Sequence, residues 1–137
     1  MMRFLGERVS GMIPVDAQSR AAFYRWMIFV PANLYPVFAF HDLPARWVEG
    51  QDQQVTFCDK ASLQLQKVWS ILEDVLQPPP YLLGGTVTAL VIDVAMLGKW
   101  SAGRQRLREH RPKLIGAIDP TEQHSLVKSV WENNFAS

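Results

Sequence analysis

Three tyrosines, one cysteine, three histidines and a run of arginines are the side chains of this sequence best suited to chemistry. A phenol or thiol acts on a substrate only where a positive setting or a hydrogen-bonded base draws off its proton. Tyr24, Tyr35 and Tyr81 have no orienting partner that the sequence can name, so each reads as an amphipathic packing residue. Cys58 falls on the apolar stripe of a helical pattern, the usual place of a small buried hydrophobe rather than a reactive thiolate. His41, His110 and His124 stand far apart and form no pair at helical spacing, so no metal site is expected. Arg104, Arg108 and Arg111 fall on one helical face, with Arg106 and Lys113 nearby. With a net charge of +1, that face is expected to be solvated, and no nucleic-acid partner is expected. Gly84-Gly85-Thr86 lacks the lysine and spacing of a phosphate loop and reads as a structural turn. No residue is assigned a catalytic role.

The elements that would position these groups come from one domain's worth of chain. The 137 residues include 48 % hydrophobic residues, five Trp and seven Phe, enough for a single packed core. A lone cysteine precludes an intrachain disulfide and fits a reducing compartment. The first ten residues lack the apolar core of a signal peptide, and no segment has the roughly 18 uninterrupted apolar residues of a membrane span. The expectation is a cytoplasmic protein with no membrane partner.

Asp16 precedes Ala17 as the cap of a helix that is apolar nearly all round from Ala21 to Val30 and therefore expected to be buried. Pro31 and Pro36 predict a kink or break between Val30 and Phe38, and a kinked buried helix often borders a cavity. Trp47 reads as the anchor of a connection. Cys58, Ala61, Leu65, Val68, Leu72 and Val75 then alternate three- and four-residue steps, one apolar stripe on a long helix. Pro78-Pro79-Pro80 ends it, Gly84-Gly85 supplies a tight turn, and Thr88 offers its hydroxyl to the first amides of a central helix reaching Trp100. A short basic turn follows, Pro112 opens another helix, and Asp119-Pro120-Thr121-Glu122 reads as a capping-box variant. That box predicts a last helix with Leu126, Val127, Val130 and Trp131 facing inward. No run alternates as a strand does, so the fold class is all-α, a bundle of five to six helices.

Tyr81-Leu82-Leu83-Gly84, Thr88-Ala89-Leu90, Met96-Leu97-Gly98-Lys99-Trp100, Arg111-Pro112-Lys113-Leu114 and Val130-Trp131-Glu132-Asn133-Asn134-Phe135 occur in this order. The series resembles the carboxy-terminal helical domain of the glutathione S-transferase family, in a bacterial version. The resemblance implies a helical domain over residues 16–137, preceded at 1–15 by the remnant of a last helix and a linker. The thioredoxin-like half that binds glutathione and supplies the thiol-activating residue has no counterpart in this sequence. In that family an Asp follows the Thr cap by three residues. Val91 stands there, so half of the box is lost, and Asp93 needs a buried partner of its own.

What the resemblance implies for function is substrate shaping and dimerisation rather than catalysis. Glutathione would be the co-substrate of a complete relative, its thiolate attacking a small apolar electrophile, and this chain alone would be inactive with no cofactor of its own. The first helix of such domains lines the acceptor pocket on one face and the dimer surface on another. Trp26, Phe29, Val30 and Asn33 share a surface across about two turns and are the expected substrate-binding residues. The expected partners are a second copy of the chain or a thioredoxin-like domain. A second reading is a non-enzymatic protein-interaction module of the same fold, docking through an apolar face near Met1 to Trp26.

Overall fold

The computed structural model describes residues 11–75, 80–100 and 103–135. Residues 1–10 of the expected helix remnant and linker, and Pro78-Pro79 of the expected stop, lie outside them. The described helices are α1 (Ala17–Asn33), α2 (Tyr35–Asp42), α3 (Gln51–Asp74), α4 (Ala89–Leu97), α5 (Gly103–His110), α6 (Pro112–Gln123) and α7 (Lys128–Phe135). With α1 and α2 taken as one broken rod, this is an all-α bundle of six helices among the described residues.

Asp16 caps α1 as its residue type predicts, accepting from the Ser19 amide at 2.7 Å, and that bond holds its carboxyl below the ordinary carboxylate range. Phe23, Trp26 and Val30 recur at three- and four-residue steps and are buried. The opposite side is not, and Ile28 is 70 % exposed. The all-round burial expected of this helix therefore fails, because its neighbours α2 and α4 cover it on one side only. Pro31 lies inside α1, and the rod breaks at Leu34 before Pro36 opens α2, as the two prolines predict. A 3₁₀ turn over Pro44–Arg46 leads to α3. Trp47, the expected anchor, instead lies on the surface with its ring edge-on to Phe40 at 4.9 Å.

On α3 the spaced stripe holds: Ala61, Val68 and Leu72 are buried, and Cys58, Leu65 and Val75 half-buried. Trp69 widens it on the side packed against α2. The chain then turns through Leu83 and Gly84, whose φ values of 63° and 118° lie in the left-handed region, and enters α4. Ala89, Leu90, Val91, Val94, Ala95 and Leu97 are all buried, so α4 is the centre of the bundle, packed between α1 and α6. At Gly98 the chain comes so close to α5 that a Cβ would stand 3.1 Å from Leu107 Cδ1.

Two expectations about caps are overturned. Thr88 has the backbone of a cap, at φ −115° and ψ 165°, but its side chain makes no capping bond and its buried Oγ1 has no partner. The first amide of α4, that of Ala89, donates instead to the Met12 carbonyl at 3.0 Å. The Asp119 box opens no helix either, since α6 runs through Pro120 to Gln123. Arg108 occupies the Asp119 carboxylate at 3.1 Å, and the buried Thr121 hydroxyl turns back to the Ala117 carbonyl at 2.9 Å. Pro120 is tolerated because the carbonyl that loses its amide belongs to Gly116, which is exposed to water. With the last helix beginning only at Lys128, Val127 and Trp131 are buried, whereas Leu126 and Val130 are 52 % and 60 % exposed.

Pro112 does open α6, but the cap of that helix comes from elsewhere. Glu73, on the last turn of α3, accepts from the Lys113 and Leu114 amides at 3.0 and 3.4 Å. Replacing Glu73 with Ala is expected to lower unfolding free energy by about 2 kcal/mol, the scale of a lost charged cap. Thr88→Val, which removes an unpartnered buried hydroxyl, is expected to leave stability unchanged or raise it by up to about 1 kcal/mol. Urea unfolding of the two variants separates the contributions, and a clear loss in Thr88→Val would restore the side-chain cap.

Candidate functional site

The cavity best formed to hold a small molecule lies where the end of α2, the middle of α3 and the corner between α5 and α6 converge, with a volume of about 260 Å³. Phe38, Leu65, Trp69, Trp100 and Leu107 make its apolar wall. Phe38 and Trp100 pack edge-to-face at 5.4 Å, and Tyr35 meets the same indole at 5.2 Å, which fixes the Trp100 ring as part of a rigid aromatic corner. The remaining lining is polar and carries no carboxylate: His41, Ser62, Gln66, Arg106, His110 and Arg111.

Arg111 sits at the break between α5 and α6, at φ −138° and ψ 61°. Its guanidinium donates to the carbonyls of His110 at 2.9 Å and Gln66 at 3.3 Å, and lies 3.9 Å from Glu73. Its Nε is buried without a partner. Arg106, one α5 residue on the rim, is exposed and pairs with no carboxylate among the described residues.

The single solvated arginine face expected from the spacing is thus dispersed. Arg104 turns inward to pair with Glu122, while Lys99 Nζ lies 3.6 Å from the other oxygen of that carboxylate. Burial pushes the Arg104 guanidinium down to about 10 and lowers Lys99 as well. Arg108 bridges to Asp119 across the α5–α6 corner.

A second polar constellation lies at the junction of α2 and α4. The Tyr35 hydroxyl donates to Asp93 Oδ1 at 2.9 Å, which supplies the buried partner that an Asp on an apolar helix needs. Burial raises the Asp93 carboxyl, and the Tyr35 bond only partly offsets it. Burial and the adjoining carboxylate push the Tyr35 phenol up to about 12. Tyr35 therefore has the orienting partner that sequence spacing could not supply, and the partner holds its proton in place. Cys58 is half-buried, with its thiol donating to the His41 carbonyl at 3.4 Å.

The residues assigned by spacing lie N-terminal to the break in the α1–α2 rod. Trp26 and Val30 are core residues, Phe29 is half-buried with its ring edge-on to Trp26 at 5.0 Å, and Asn33 donates to the Phe29 carbonyl at 2.8 Å. Trp26 also edges a small gap beside Leu82 and Leu83. None of the four lines the cavity at the α5–α6 corner, which takes Phe38 and His41 from beyond the break.

No model of a known protein family matches the chain. By sequence it is 25 % identical over 124 residues to the uncharacterised GST-like protein YncG of Escherichia coli strain K12, across 88 % of this chain and 58 % of that protein. By structure it matches a glutathione transferase homologue from Sulfitobacter with bound glutathione, at a TM-score of 0.75 and 16 % identity, over 90 % of this chain and 59 % of the other. The chain therefore spans less than two thirds of either relative. Its fold is that of a glutathione transferase carboxy-terminal helical domain. No described helix is long and apolar enough to cross a membrane.

Because Asp93 is raised above its ordinary 3.8, the folded state holds its proton more tightly than the unfolded chain does. This group favours the fold fully below that value, and the contribution is lost as pH rises through the folded-state pKa. Asp93→Asn keeps an acceptor for Tyr35 and removes the charge. Urea unfolding from pH 3 to 8 is expected to show a flatter decline for this variant and higher stability than the parent at pH 7.

Proposed function

We propose that this chain is the helical half of a glutathione transferase-like protein, shaping the site of a small apolar electrophile that glutathione thiolate attacks. The carrying observation is the match in fold, over most of this chain, to a homologue whose crystals contain glutathione. In this reading residues 16–137 form the helical domain and residues 1–15 lead into it from a thioredoxin-like half. The cavity walled by Phe38, Trp69 and Trp100 receives the electrophile. Phe29 and Asn33 keep part of their surface on the first helix but do not line this cavity. Ile28 on α1 and Val55 and Leu63 on α3 leave large apolar groups exposed, and these supply the surface for a homodimer. The protein works in the cytoplasm.

Glutathione itself is bound and activated elsewhere than on this chain. Thiolate formation needs a donor or positive field at sulfur, and Tyr35 has committed its proton to Asp93. The attack forms a bond from sulfur to the electrophilic carbon as the leaving group departs with its electron pair. The helical half contributes by holding the apolar body of the electrophile and excluding water around it.

The purified chain, mixed with glutathione and 1-chloro-2,4-dinitrobenzene, is expected to give no conjugation above the uncatalysed rate. Joined to a thioredoxin-like glutathione-binding domain it is expected to conjugate, with Trp100→Ala raising KM several-fold. Turnover by the chain alone would overturn the division of labour. A joined protein that binds glutathione yet conjugates no electrophile would favour the interaction-module reading.

A further inference from the structure

We propose that α5 is a lid over this cavity, latched to α6 by arginine–carboxylate pairs and pivoting at Arg111. Its role as a lid rests on the reading of the cavity as a guest site, whereas the latch rests on the helix's own contacts. Arg106, Leu107 and His110 of α5 line the cavity, so displacing this one helix uncovers it. Apolar packing holds the helix weakly. Leu107 is its one buried residue among those described, against five in α6 and six in α4. An element with so little apolar surface in the core opens at a lower free energy than the bundle unfolds.

Charge supplies what apolar packing does not. Arg108 meets both oxygens of Asp119, at 3.1 and 3.2 Å, and Arg104 pairs with Glu122 about one turn further along α6. The two arginines are four residues apart on α5 and their partners three apart on α6, so the pairs clamp one face of the lid. Glu122 is largely enclosed, whereas the Arg108 and Asp119 side chains are 55 % and 39 % exposed and open to screening by salt. The far end of the helix is a pivot. The backbone leaves helical geometry at Arg111, and Pro112 then opens α6. The Arg111 guanidinium donates to the Gln66 carbonyl of α3, and Glu73 of α3 holds the first amides of α6. α6 is therefore pinned to α3 while α5 turns.

Hydrogen exchange followed by mass spectrometry on the full chain reads the latch without a guest. The amides of residues 107–111 are expected to exchange roughly ten-fold or more faster than those of residues 93–98 in α4. Arg108→Gln and Asp119→Asn change exposed residues at the two ends of one pair. Each should speed exchange at 107–111 by about three-fold and leave 93–98 unmoved, and raising NaCl from about 20 mM to about 0.5 M should do the same to the parent but little to either variant. The lid is read with the neutral dye N-phenyl-1-naphthylamine in stopped-flow fluorescence. Both variants should raise its on-rate and off-rate together by about three-fold and leave Kd nearly unchanged, whereas a merely loosened site would raise the off-rate alone. Exchange at 107–111 in step with 93–98, or unmoved by the variants, overturns the latch. Dye rates untouched by the variants overturn the lid. If the dye does not bind, the reading of the cavity as a guest site fails, and the exchange measurement still decides whether α5 is latched.

Discussion

The first amides of a helix have no acceptor within that helix, and two helices of this protein find theirs in other elements. The remedy in both cases comes from far along the chain. The Met12 carbonyl receives the first amide of α4, and the Glu73 carboxylate receives two amides of α6. These two contacts tie the entry segment to α4 and the end of α3 to α6. Glu73 also stands beside Arg111, so the group that lets α6 begin is the group that sets the guanidinium at the cavity mouth. Folding and site geometry share that carboxylate.

The features legible in the sequence are those decided by local physics. The alternation through Ala61, Val68 and Leu72 marks α3 because a buried stripe on a helix has no other period. Asp16 caps α1 and the proline pair breaks the rod because both effects act within one turn. The features that escaped were decided by distant partners. Asp119-Pro120-Thr121-Glu122 has the composition of a helix start, but Arg108 takes the carboxylate and the hydroxyl bonds backward. Thr88 has the right backbone and residue type, but a carbonyl from the entry segment reaches the amide instead. No spacing rule contains the position of Met12 or Glu73.

The candidate site shows the same division. Its wall is drawn from the end of α2, the middle of α3, the chain just after α4, and α5, a set with no common period. The arginine face shows how a periodicity misleads. Counting from Arg104 to Arg111 at helical steps assumes one continuous helix, whereas the backbone leaves helical geometry at Arg111 itself. Arg104 consequently faces Glu122 while Arg111 faces α3 and the cavity. The proline break did point to a cavity, but on its far side, where Phe38 and His41 reach it.

Gly98 has a bearing on the cavity although it does not line it. A Cβ here would stand 3.1 Å from Leu107 Cδ1, so the leucine would have to give by a few tenths of an ångström, and Leu107 is part of the apolar wall. The dimensions of the cavity are thus partly encoded at a position outside its lining. A larger residue at 98 would push the leucine inward and narrow the space, and a smaller one at 107 would restore the room. The size of the cavity can therefore change through this pair, with every aromatic of the wall left unchanged.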